Sequence, residues 1–331
     1  MAVYTEVGDE ELAAFVASYG LGDVISFKGI AEGVENTNYL VETACGWFIL
    51  TLYEKRVDPA ELPFFLGLME HLAARSLSCP TPVRDRDGAN LRELAGRPAA
   101  IVTFLEGVSV RRPTPEHCRE VGMGLARMHL AASDFALRRP NGLGLASWSP
   151  LFQRFAGRAD EIRPGLAALI TAELRDLEAH WPANLPTGVI HADLFPDNVF
   201  FLQDHVSGLI DFYFACTDAL AYDIAVCLNA WCFEQDGAFN ITKSRALLKG
   251  YESVRPLESA EREALPILAR GSALRFLLTR AYDWINTPPD ALVKRKDPGE
   301  YVRRLAFHRT VATPASYGLD SAGPAAGIAA T

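Results

Sequence analysis

Apolar and polar residues are arranged differently in the first third of the chain and in the remainder. Three short runs, residues 23–30, 37–43 and 47–53, have the length and the β-branched and aromatic content that are typical of strands. In the third run, apolar side chains occupy both sets of alternate positions, which predicts a strand covered on both faces. Two further strands, residues 89–94 and 99–105, follow turn-forming Asp-Gly and Gly-Arg-Pro sequences. We therefore expect five antiparallel strands.

Two helices are predicted beside these strands. Residues 9–19 have a helical pattern, with Asp9 as a possible cap. At residues 58–61, the sequence Asp-Pro-Ala-Glu combines a capping residue, a proline in the first turn and a glutamate three residues after the cap. This second helix should end near Arg75, because Cys-Pro-Thr-Pro follows. The first third is thus expected to form a sheet with one inserted helix.

After Gly107, helical patterns dominate. They cover residues 114–132, 150–181, 219–234, 241–252, 257–285 and 298–312. One predicted strand pair, residues 198–202 and 207–212, interrupts them.

These patterns predict an α+β fold with two lobes. Residues 1–106 would form a small N-lobe around the five-stranded antiparallel sheet and its helix. Residues 107–315 would form a larger, mostly helical C-lobe. Residues 316–331 contain too few bulky side chains to pack, so we expect a disordered tail. A chain of 331 residues is also longer than a single hydrophobic core usually supports.

Composition and charge exclude some partners. Apolar residues make up 49% of the chain and charged residues 22%, which fits a globular protein with a substantial core. The net charge of −9 argues against nucleic acid as the main partner, because binding to its phosphate backbone requires a basic surface. It does not exclude ATP, whose phosphates can be held by metal ions and local dipoles.

The location and the redox state follow from two further features. The N-terminal sequence MAVYTEVGDEEL carries acids where a secretory signal would carry Lys or Arg, and no apolar run reaches the ~18 residues of a membrane span. We therefore expect a cytoplasmic protein without a membrane partner. The six cysteines contain no CxxC pair, so neither a disulfide framework nor a zinc site is indicated.

The strongest chemical signal is the segment HADLFPDN, which contains His191, Asp193 and Asn198, followed by Asp211 in LIDF. In phosphoryl transfer, an enzyme mainly positions the reactants and neutralises charge. A carboxylate orients the attacking hydroxyl, while an amide oxygen and a second carboxylate hold the metal ions on the phosphates. Asp193 and Asn198 can share one loop, and a hairpin can return Asp211 to the same site. The spacing predicts a kinase catalytic loop, whereas a simple polar turn would not require all four residues.

The details differ from protein kinases, because Phe195 stands where they carry a lysine and no APE-like segment follows. Residues 25–285 instead resemble the aminoglycoside phosphotransferase-like family, which includes choline, methylthioribose and some homoserine kinases. The resemblance implies a bilobal protein-kinase-like fold, with ATP between the lobes and an acceptor in the helical lobe. It also implies that Asp193 is the catalytic base and that Asn198 and Asp211 are Mg²⁺ ligands.

Two residues are expected to support this loop. His191 is interpreted as a structural brace rather than an acid or a base. Asp223, in the sequence AYDIA, resembles a helix-borne aspartate of the family that hydrogen-bonds to the catalytic-loop backbone. An exposed helical acid is the alternative interpretation for Asp223.

The expected nucleotide contacts of the N-lobe rest on the same resemblance. The sequence GIAEGVEN, with Gly33 and Asn36, resembles a phosphate-covering loop, in which glycines can bring backbone N–H groups close to phosphate oxygens. The sequence IVTFLEG, with Thr103 and Leu105, resembles the hinge, whose backbone would bind the adenine edge.

The N-lobe cation is a departure from the family pattern. Many relatives place a phosphate-binding Lys or Arg where this chain has Thr51. Lys55, or else Arg56, lies just downstream and could replace it. The acid on the following helix that would pair with such a cation is Glu61 or Glu70.

The acceptor is predicted from the resemblance to homoserine kinases, which extends to CLNAWCF and RFLLTRAYDW, at residues 227–233 and 275–284. An amino-acid acceptor such as L-homoserine needs a cation for its carboxylate and an acid or carbonyl groups for its ammonium. Arg275 is the first candidate for binding the carboxylate, and Arg280 is the second. Asp283 is the candidate for the ammonium and is expected to share a helix face with Arg275. Asn229 is expected to line the pocket.

Three alternatives stay open. Trp231 and Trp284 could form an aromatic cage for a quaternary ammonium, as in choline kinases, or could be core aromatics. An acidic pocket for a polycationic aminoglycoside is compatible with the net charge. With Thr51 at the cation position, the chain could also be a kinase-like binding module without catalysis, although its intact catalytic and metal-binding residues argue against this. The oligomeric state is not predictable.

Overall fold

The computed structural model describes residues 5–30, 36–54, 58–287 and 295–319. In these parts of the chain, the first lobe contains an antiparallel sheet of five strands in the order β1-β2-β3-β5-β4. The strands are β1 (Val24–Ile30), β2 (Thr37–Thr43), β3 (Gly46–Leu52), β4 (Arg92–Leu94) and β5 (Arg97–Thr103). The predicted sheet is confirmed. Strand β4 is shorter than expected because Ala89 hydrogen-bonds in a turn with Asp85 rather than in the sheet.

Helices cover both faces of this sheet. Helix α1 (Asp9–Ser18) packs on one face and α2 (Leu62–Ala74) on the other. Along β3, Leu50 and Leu52 join the cluster with α1, whereas Ile49 packs against the cluster that contains α2. The prediction that β3 is covered on both faces is therefore confirmed.

The helix starts follow local capping rules, with one difference. Asp58 accepts a hydrogen bond from the N–H of Ala60 at 2.9 Å and caps a 3₁₀ turn, Pro59–Glu61, that leads into α2. In α1 the N-cap is Gly8, and Asp9 is the first helical residue. There Asp9 still interacts favourably with the helix dipole.

The second lobe is mostly helical. Its helices are α3 (Pro115–Ala131), α4 (Leu145–Gln153), α5 (Ala159–Ile162), α6 (Leu166–His180), α7 (Leu220–Trp231), α8 (Ile241–Glu252), α9 (Ser259–Asn286) and α10 (Gly299–Thr310). The helix expected over residues 150–181 is divided among α4, α5 and α6. Before α6, the break is made by Pro164 and Gly165, which has φ of +81°.

Two antiparallel strand pairs cross this lobe. The predicted hairpin consists of β7 (Val199–Leu202) and β8 (His205–Leu209). A second pair, β6 (Thr187–Ile190) with β9 (Cys216–Ala219), was not predicted, since strands of four residues leave little periodicity in the sequence. These two pairs position the candidate catalytic segments, because β6 enters the HADLFPDN loop and β9 follows Asp211.

Helices α3 and α8 cross closely at two glycines. A Cβ atom at Gly122 would lie 2.0 Å from the carbonyl oxygen of Leu247, and one at Gly250 would lie 2.2 Å from that of Arg119. Neither position can hold a larger side chain without separating the helices. Near this crossing, the Tyr251 hydroxyl of α8 lies 2.8 Å from Nδ1 of His129 on α3.

Packed structure extends beyond residue 315. A 3₁₀ turn, Pro314–Tyr317, places Tyr317 and Leu319 in the core. The Tyr317 hydroxyl lies 2.8 Å from Nδ1 of His308. The prediction of a tail from residue 316 is therefore wrong for residues 316–319, because Tyr317 packs against α10; residues 320–331 lie outside the described part of the chain. Among the described helices, none has the length and hydropathy to cross a bilayer.

Candidate active site

The catalytic-loop candidates lie between β6 and β7. A 3₁₀ turn, Pro196–Asn198, folds Asn198 back toward Asp193. Nδ2 of Asn198 donates to the Asp193 carbonyl at 2.8 Å and lies 3.3 Å from Oδ2 of the Asp193 carboxylate. These bonds use the amide nitrogen and leave Oδ1 of Asn198 as the oxygen that can bind a metal ion.

Asp211 lies next to this loop. The N–H of Ile210 donates to the carbonyl of Asn198 at 3.0 Å, which joins the two candidate metal-binding segments. Asp211 itself is exposed and has left-handed backbone angles, with φ of 64°. The sequence candidates Asp193, Asn198 and Asp211 are therefore brought together at one site.

His191 connects the same segments from beneath. Its Nε2 lies 3.0 Å from the carbonyl oxygen of Ile210, and its Nδ1 accepts from the N–H of Asp193 at 3.3 Å. The ring must therefore carry its proton on Nε2. Burial lowers the pKa of His191, which keeps the ring neutral. These contacts support the brace interpretation of His191.

Asp223, on α7, holds the backbone of the loop. Its carboxylate is fully buried and accepts from the N–H groups of His191 at 2.7 Å and Ala192 at 2.9 Å. Ala192 has φ of 62°, a conformation that costs energy for a residue with a side chain. Burial alone would raise the pKa of Asp223, but the hydrogen bonds, first that with His129 at 3.1 Å, hold the pKa below its usual value. The contacts support Asp223 as a loop support rather than an exposed acid.

Arg275, on α9, is buried beside the candidate base. Its Nη1 donates to the carbonyl of Ala192, and its Nη2 lies 3.9 Å from Oδ1 of Asp193. Burial raises the pKa of Asp193, and the positive charge of Arg275 opposes this shift. The Asp193 side chain is 21% exposed, so an acceptor can reach it.

Asn229 does not face an acceptor pocket. It is fully buried, and its Nδ2 donates to the carbonyls of Ala225 at 3.1 Å and Ala269 at 3.0 Å. Its Oδ1 lies 3.2 Å from Nε2 of His308. The prediction of a substrate contact for Asn229 is wrong, because its buried side chain bonds to α7 itself, to α9 and to α10.

The other acceptor candidates are dispersed. Arg280 forms an ion pair with Glu300 and donates to the carbonyl of Asp297 at 3.3 Å, so it joins α9 to the start of α10. Asp283 is exposed whereas Arg275 is buried, so the predicted common face is wrong: a separation of eight residues is about 80° from full helical turns. Lys296, which the sequence did not single out, is exposed and its charge acts on Asp193. It lies in the charged sequence KRKDP, which has no distinctive spacing.

The two tryptophans do not form a cage together. Trp231 is buried, and its Nε1 donates to the carbonyl of Leu194 at 2.7 Å. Trp284 is half-buried under the guanidinium of Arg295, 4.8 Å from the ring centre. Trp231 is thus a core aromatic that supports the catalytic loop.

In the N-lobe, two polar side chains are used within the sheet. Thr51 is buried, and its hydroxyl donates to Oδ1 of Asn38 at 2.8 Å. Asn36 is also buried, and its Oδ1 accepts from the N–H of Glu54 at 3.3 Å, so it fastens the start of β2 to the end of β3. The candidates Gly33 and Lys55, and the alternative Arg56, lie outside the described residues.

The predicted hinge follows β5. The Thr103 hydroxyl accepts from the N–H of Thr81 at 2.9 Å, and the Thr103 N–H donates to the Thr81 carbonyl at 3.0 Å. The Leu105 side chain contacts Gly208 of β8, where a Cβ would lie 2.6 Å from Leu105 Cδ1. The hydroxyl of Ser207 donates to the carbonyl of Glu106 at 2.8 Å. The hinge is therefore anchored on the β7–β8 hairpin.

Both candidate acids of the α2 region have partners. Glu70 accepts from Arg84 at 2.7 Å and Asn90 at 3.0 Å, both in the N-lobe. Glu61 accepts at 2.7 Å from Arg139, which lies in the C-lobe between α3 and α4. The sequence did not single out Arg139, because its partners are far away along the chain.

Comparisons with known proteins agree with this geometry. The sequence model of the phosphotransferase enzyme family matches residues 26–257. The chain is 66% identical to a homoserine kinase of Xanthobacter autotrophicus, over 96% of this chain and 99% of that protein. It is 64% identical to a homoserine kinase of Brucella anthropi, over 98% of this chain and 100% of that protein.

Solved structures resemble the fold. A spectinomycin phosphotransferase in complex with ADP and spectinomycin superposes with a TM-score of 0.68 at 11% identity, over 95% of this chain and 98% of that one. A choline kinase from Cryptosporidium parvum superposes with a TM-score of 0.62 at 17% identity, over 86% and 88% of the two chains. The family model covers most of the chain, and the curated relatives cover nearly all of it. The chain therefore belongs to the phosphotransferase enzyme family, together with these homoserine kinases.

Proposed function

We propose that this chain is an ATP-dependent kinase that phosphorylates the side-chain hydroxyl of L-homoserine and produces O-phospho-L-homoserine for threonine biosynthesis. The observation that carries the proposal is the identity of 66% to a homoserine kinase over nearly the full length of both chains. We also propose that it acts in the cytoplasm, without nucleic acid or a membrane as a partner, in keeping with its net charge of −9.

The nucleotide would lie between the N-lobe, residues 1–106, and the C-lobe. Oδ1 of Asn198 and the carboxylate of Asp211 would hold Mg²⁺, since both are the oxygen ligands that this ion prefers. The ion would supply positive charge to neutralise the phosphates. Because the Asn198 amide nitrogen is bonded to Asp193, the same residue would fix the distance between the metal and the base.

Asp193 would orient the acceptor hydroxyl and accept its proton. Its partly exposed carboxylate has a pKa raised by burial, so it is a stronger base than a carboxylate in water. The positive charge of Arg275 limits this shift in pKa. Asp223 and His191 would act through the backbone, by holding the loop that carries Asp193.

The acceptor's carboxylate would lie on the side of Asp193 where Arg275 and Lys296 bring positive charge. Arg280 is not proposed for this role because Glu300 already neutralises it. Asp283, being exposed, stays a proposal for the ammonium group.

A substrate panel with the Asp193→Asn variant tests the proposal. ATP consumption should be much faster with L-homoserine than with choline, methylthioribose or kanamycin, because a site for both charged groups rejects acceptors that lack one of them. The panel also includes serine, which carries both charged groups but is one methylene shorter. Asp193→Asn should lower kcat by roughly 10³-fold while MgATP still binds, since the base positions the hydroxyl and not the nucleotide.

The possible outcomes separate the alternatives. Faster turnover with choline or kanamycin would overturn the substrate but not the kinase activity. Turnover with no acceptor would favour a binding module. A near-normal kcat in Asp193→Asn would remove Asp193 from the role of base.

A further inference from the structure

Glu61 and Arg139 form an ion pair between the two lobes. Glu61 lies in the 3₁₀ turn that leads into α2, and its Oε2 is 2.7 Å from Nη2 of Arg139. Thr51, at the family's cation position on β3, brings no charge and is bonded to Asn38. Among the described residues, the cation that holds Glu61 therefore comes from the C-lobe.

The same guanidinium also contacts the segment that follows Asp211. Nη1 of Arg139 donates to the carbonyl of Ala215 at 3.2 Å. The backbone of Arg139 is fixed in turn, because its carbonyl accepts from the N–H of Thr217 at 2.6 Å. One side chain thus joins the start of α2 to a carbonyl only four residues beyond the candidate metal ligand.

An aromatic cluster surrounds this connection. The Arg139 guanidinium lies 5.0 Å from the ring centre of Phe65 on α2, and Tyr213 packs edge-on against the same ring at 5.6 Å. The Tyr213 hydroxyl is 3.2 Å from that of Tyr53, just beyond β3. The N-lobe therefore rests on the residues that directly follow Asp211.

The Glu70 pair provides an internal comparison. Glu70 lies on α2, which follows the turn of Glu61, and bonds to Arg84 at the same distance, 2.7 Å, but both partners belong to the N-lobe. Arg84 can be lost without changing any contact between the lobes. The two pairs have similar chemistry, and only the pair of Glu61 with Arg139 connects the N-lobe to the segment after Asp211.

We propose that Arg139 is a positioning residue of the nucleotide site, which sets the N-lobe relative to Asp211 through its simultaneous contacts with Glu61 and Ala215. This inference rests on the proposed ATP-dependent activity. The N-lobe would cover the phosphates and Asp211 would bind the metal ion, so MgATP needs both parts at a fixed separation. Arg139 acts through these groups and does not contact the nucleotide.

The test measures nucleotide binding without an acceptor. Arg139→Gln removes the charge, and Arg84→Gln is the matched control. The Kd for the magnesium complex of a non-hydrolysable ATP analogue, measured by calorimetry, should rise about tenfold in Arg139→Gln and stay within about twofold in Arg84→Gln. The effect is moderate because Arg139 is 18% exposed and Glu61 37% exposed, so water screens the pair.

Two further variants test the coupling. Arg139→Lys keeps a charge for Glu61 but cannot reach Ala215 at the same time, so its affinity should be intermediate. Adding Glu61→Gln to Arg139→Gln should weaken binding by less than about twofold more, since the interaction is already lost. In steady-state assays of Arg139→Gln, KM for MgATP should rise while KM for homoserine changes little.

A structural role alone would give a different result. If Arg139→Gln lowers the melting temperature but leaves the Kd of the ATP analogue equal to that of Arg84→Gln, the proposal is wrong. Failure of the proposed substrate is distinguishable, because it would abolish homoserine turnover in the wild type without affecting analogue binding.

Discussion

Helix α7 carries two fully buried polar side chains, Asp223 and Asn229, whose surroundings are chemically alike. Each bonds to backbone groups and each meets a buried histidine, Asp223 with His129 at 3.1 Å and Asn229 with His308 at 3.2 Å. Their backbone partners differ. Asp223 holds two N–H groups of the loop that carries the candidate base, whereas Asn229 holds a carbonyl of α9.

The comparison shows that burial and saturated hydrogen bonding do not by themselves identify a functional residue. The segment that is held decides the role. Asp223 stabilises Ala192 at φ of 62°, a strained conformation next to Asp193, so it should control the position of the base. Asn229 bonds to regular helix, so it should control how tightly α7, α9 and α10 pack together.

The largest effect is expected for Asp223→Asn. The asparagine amide can accept only one of the two loop N–H groups and would turn its own N–H₂ toward the other. An unsatisfied buried donor costs about 1–3 kcal/mol, so kcat should fall roughly 10- to 100-fold as the loop shifts. Asp197→Asn, an exposed change on the same loop, is the control and should leave kcat nearly unchanged. Normal kinetics in Asp223→Asn would remove the functional difference between the two clusters.

Asn229→Ala should change stability instead of kinetics. The variant loses both Nδ2 bonds and the contact with His308, so we expect the free energy of unfolding to fall by about 2–3 kcal/mol in urea titrations. KM for homoserine and kcat at low temperature should remain those of the wild type. A raised KM for homoserine at unchanged stability would restore the substrate role that the sequence suggested.

The contrast also explains what the sequence could predict. The sequence predicts the catalytic cluster because its members are close together along the chain and lie between apolar strands. These members are Asp193, Asn198 and Asp211. Asn229 bonds to Ala269 on α9, 40 residues further along the chain. Arg139 bonds to Glu61, in the turn before α2, 78 residues earlier in the chain. Such pairs form where helices cross or where the lobes meet. The local sequence therefore does not distinguish Asn229 from a pocket residue or Arg139 from a surface arginine.

His308 should contribute to the pH dependence of stability, in the same direction as His191, whose pKa is also lowered by burial. Burial, together with the charges of Arg304 and Arg270, lowers the pKa of His308 to about 3. The unfolded chain binds this proton near the ordinary histidine pKa of about 6.5, so stability should fall as the pH drops from about 6.5 toward 3, by up to ~1.4 kcal/mol per pH unit.

His308→Gln should flatten this dependence between about pH 6.5 and 4.5. Asp223 does not contribute there: its pKa is lowered, so its stabilising effect is lost only below the ordinary aspartate pKa of about 3.9. Urea unfolding at several pH values measures the slope. An equal slope in the wild type and in His308→Gln would show that another group carries the dependence.

The smallest effect is expected for Arg280→Gln. Like Asn229, Arg280 connects helices and does not hold the loop of the candidate base. Arg280 connects α9 to α10 through Glu300, but Glu300 keeps a second partner, Arg304. Losing one member of this network should lower the free energy of unfolding by no more than about 1 kcal/mol, since the Glu300 side chain is 36% exposed and water screens the pair.

KM for homoserine should stay within about twofold of the wild type, because no acceptor contact is lost. Steady-state kinetics with homoserine as the varied substrate provide the measurement, with Arg303→Gln, a change on α10, as the control. If KM for homoserine rises several-fold in Arg280→Gln alone, the ion pair with Glu300 must open when the acceptor binds, and Arg280 would belong to the acceptor site.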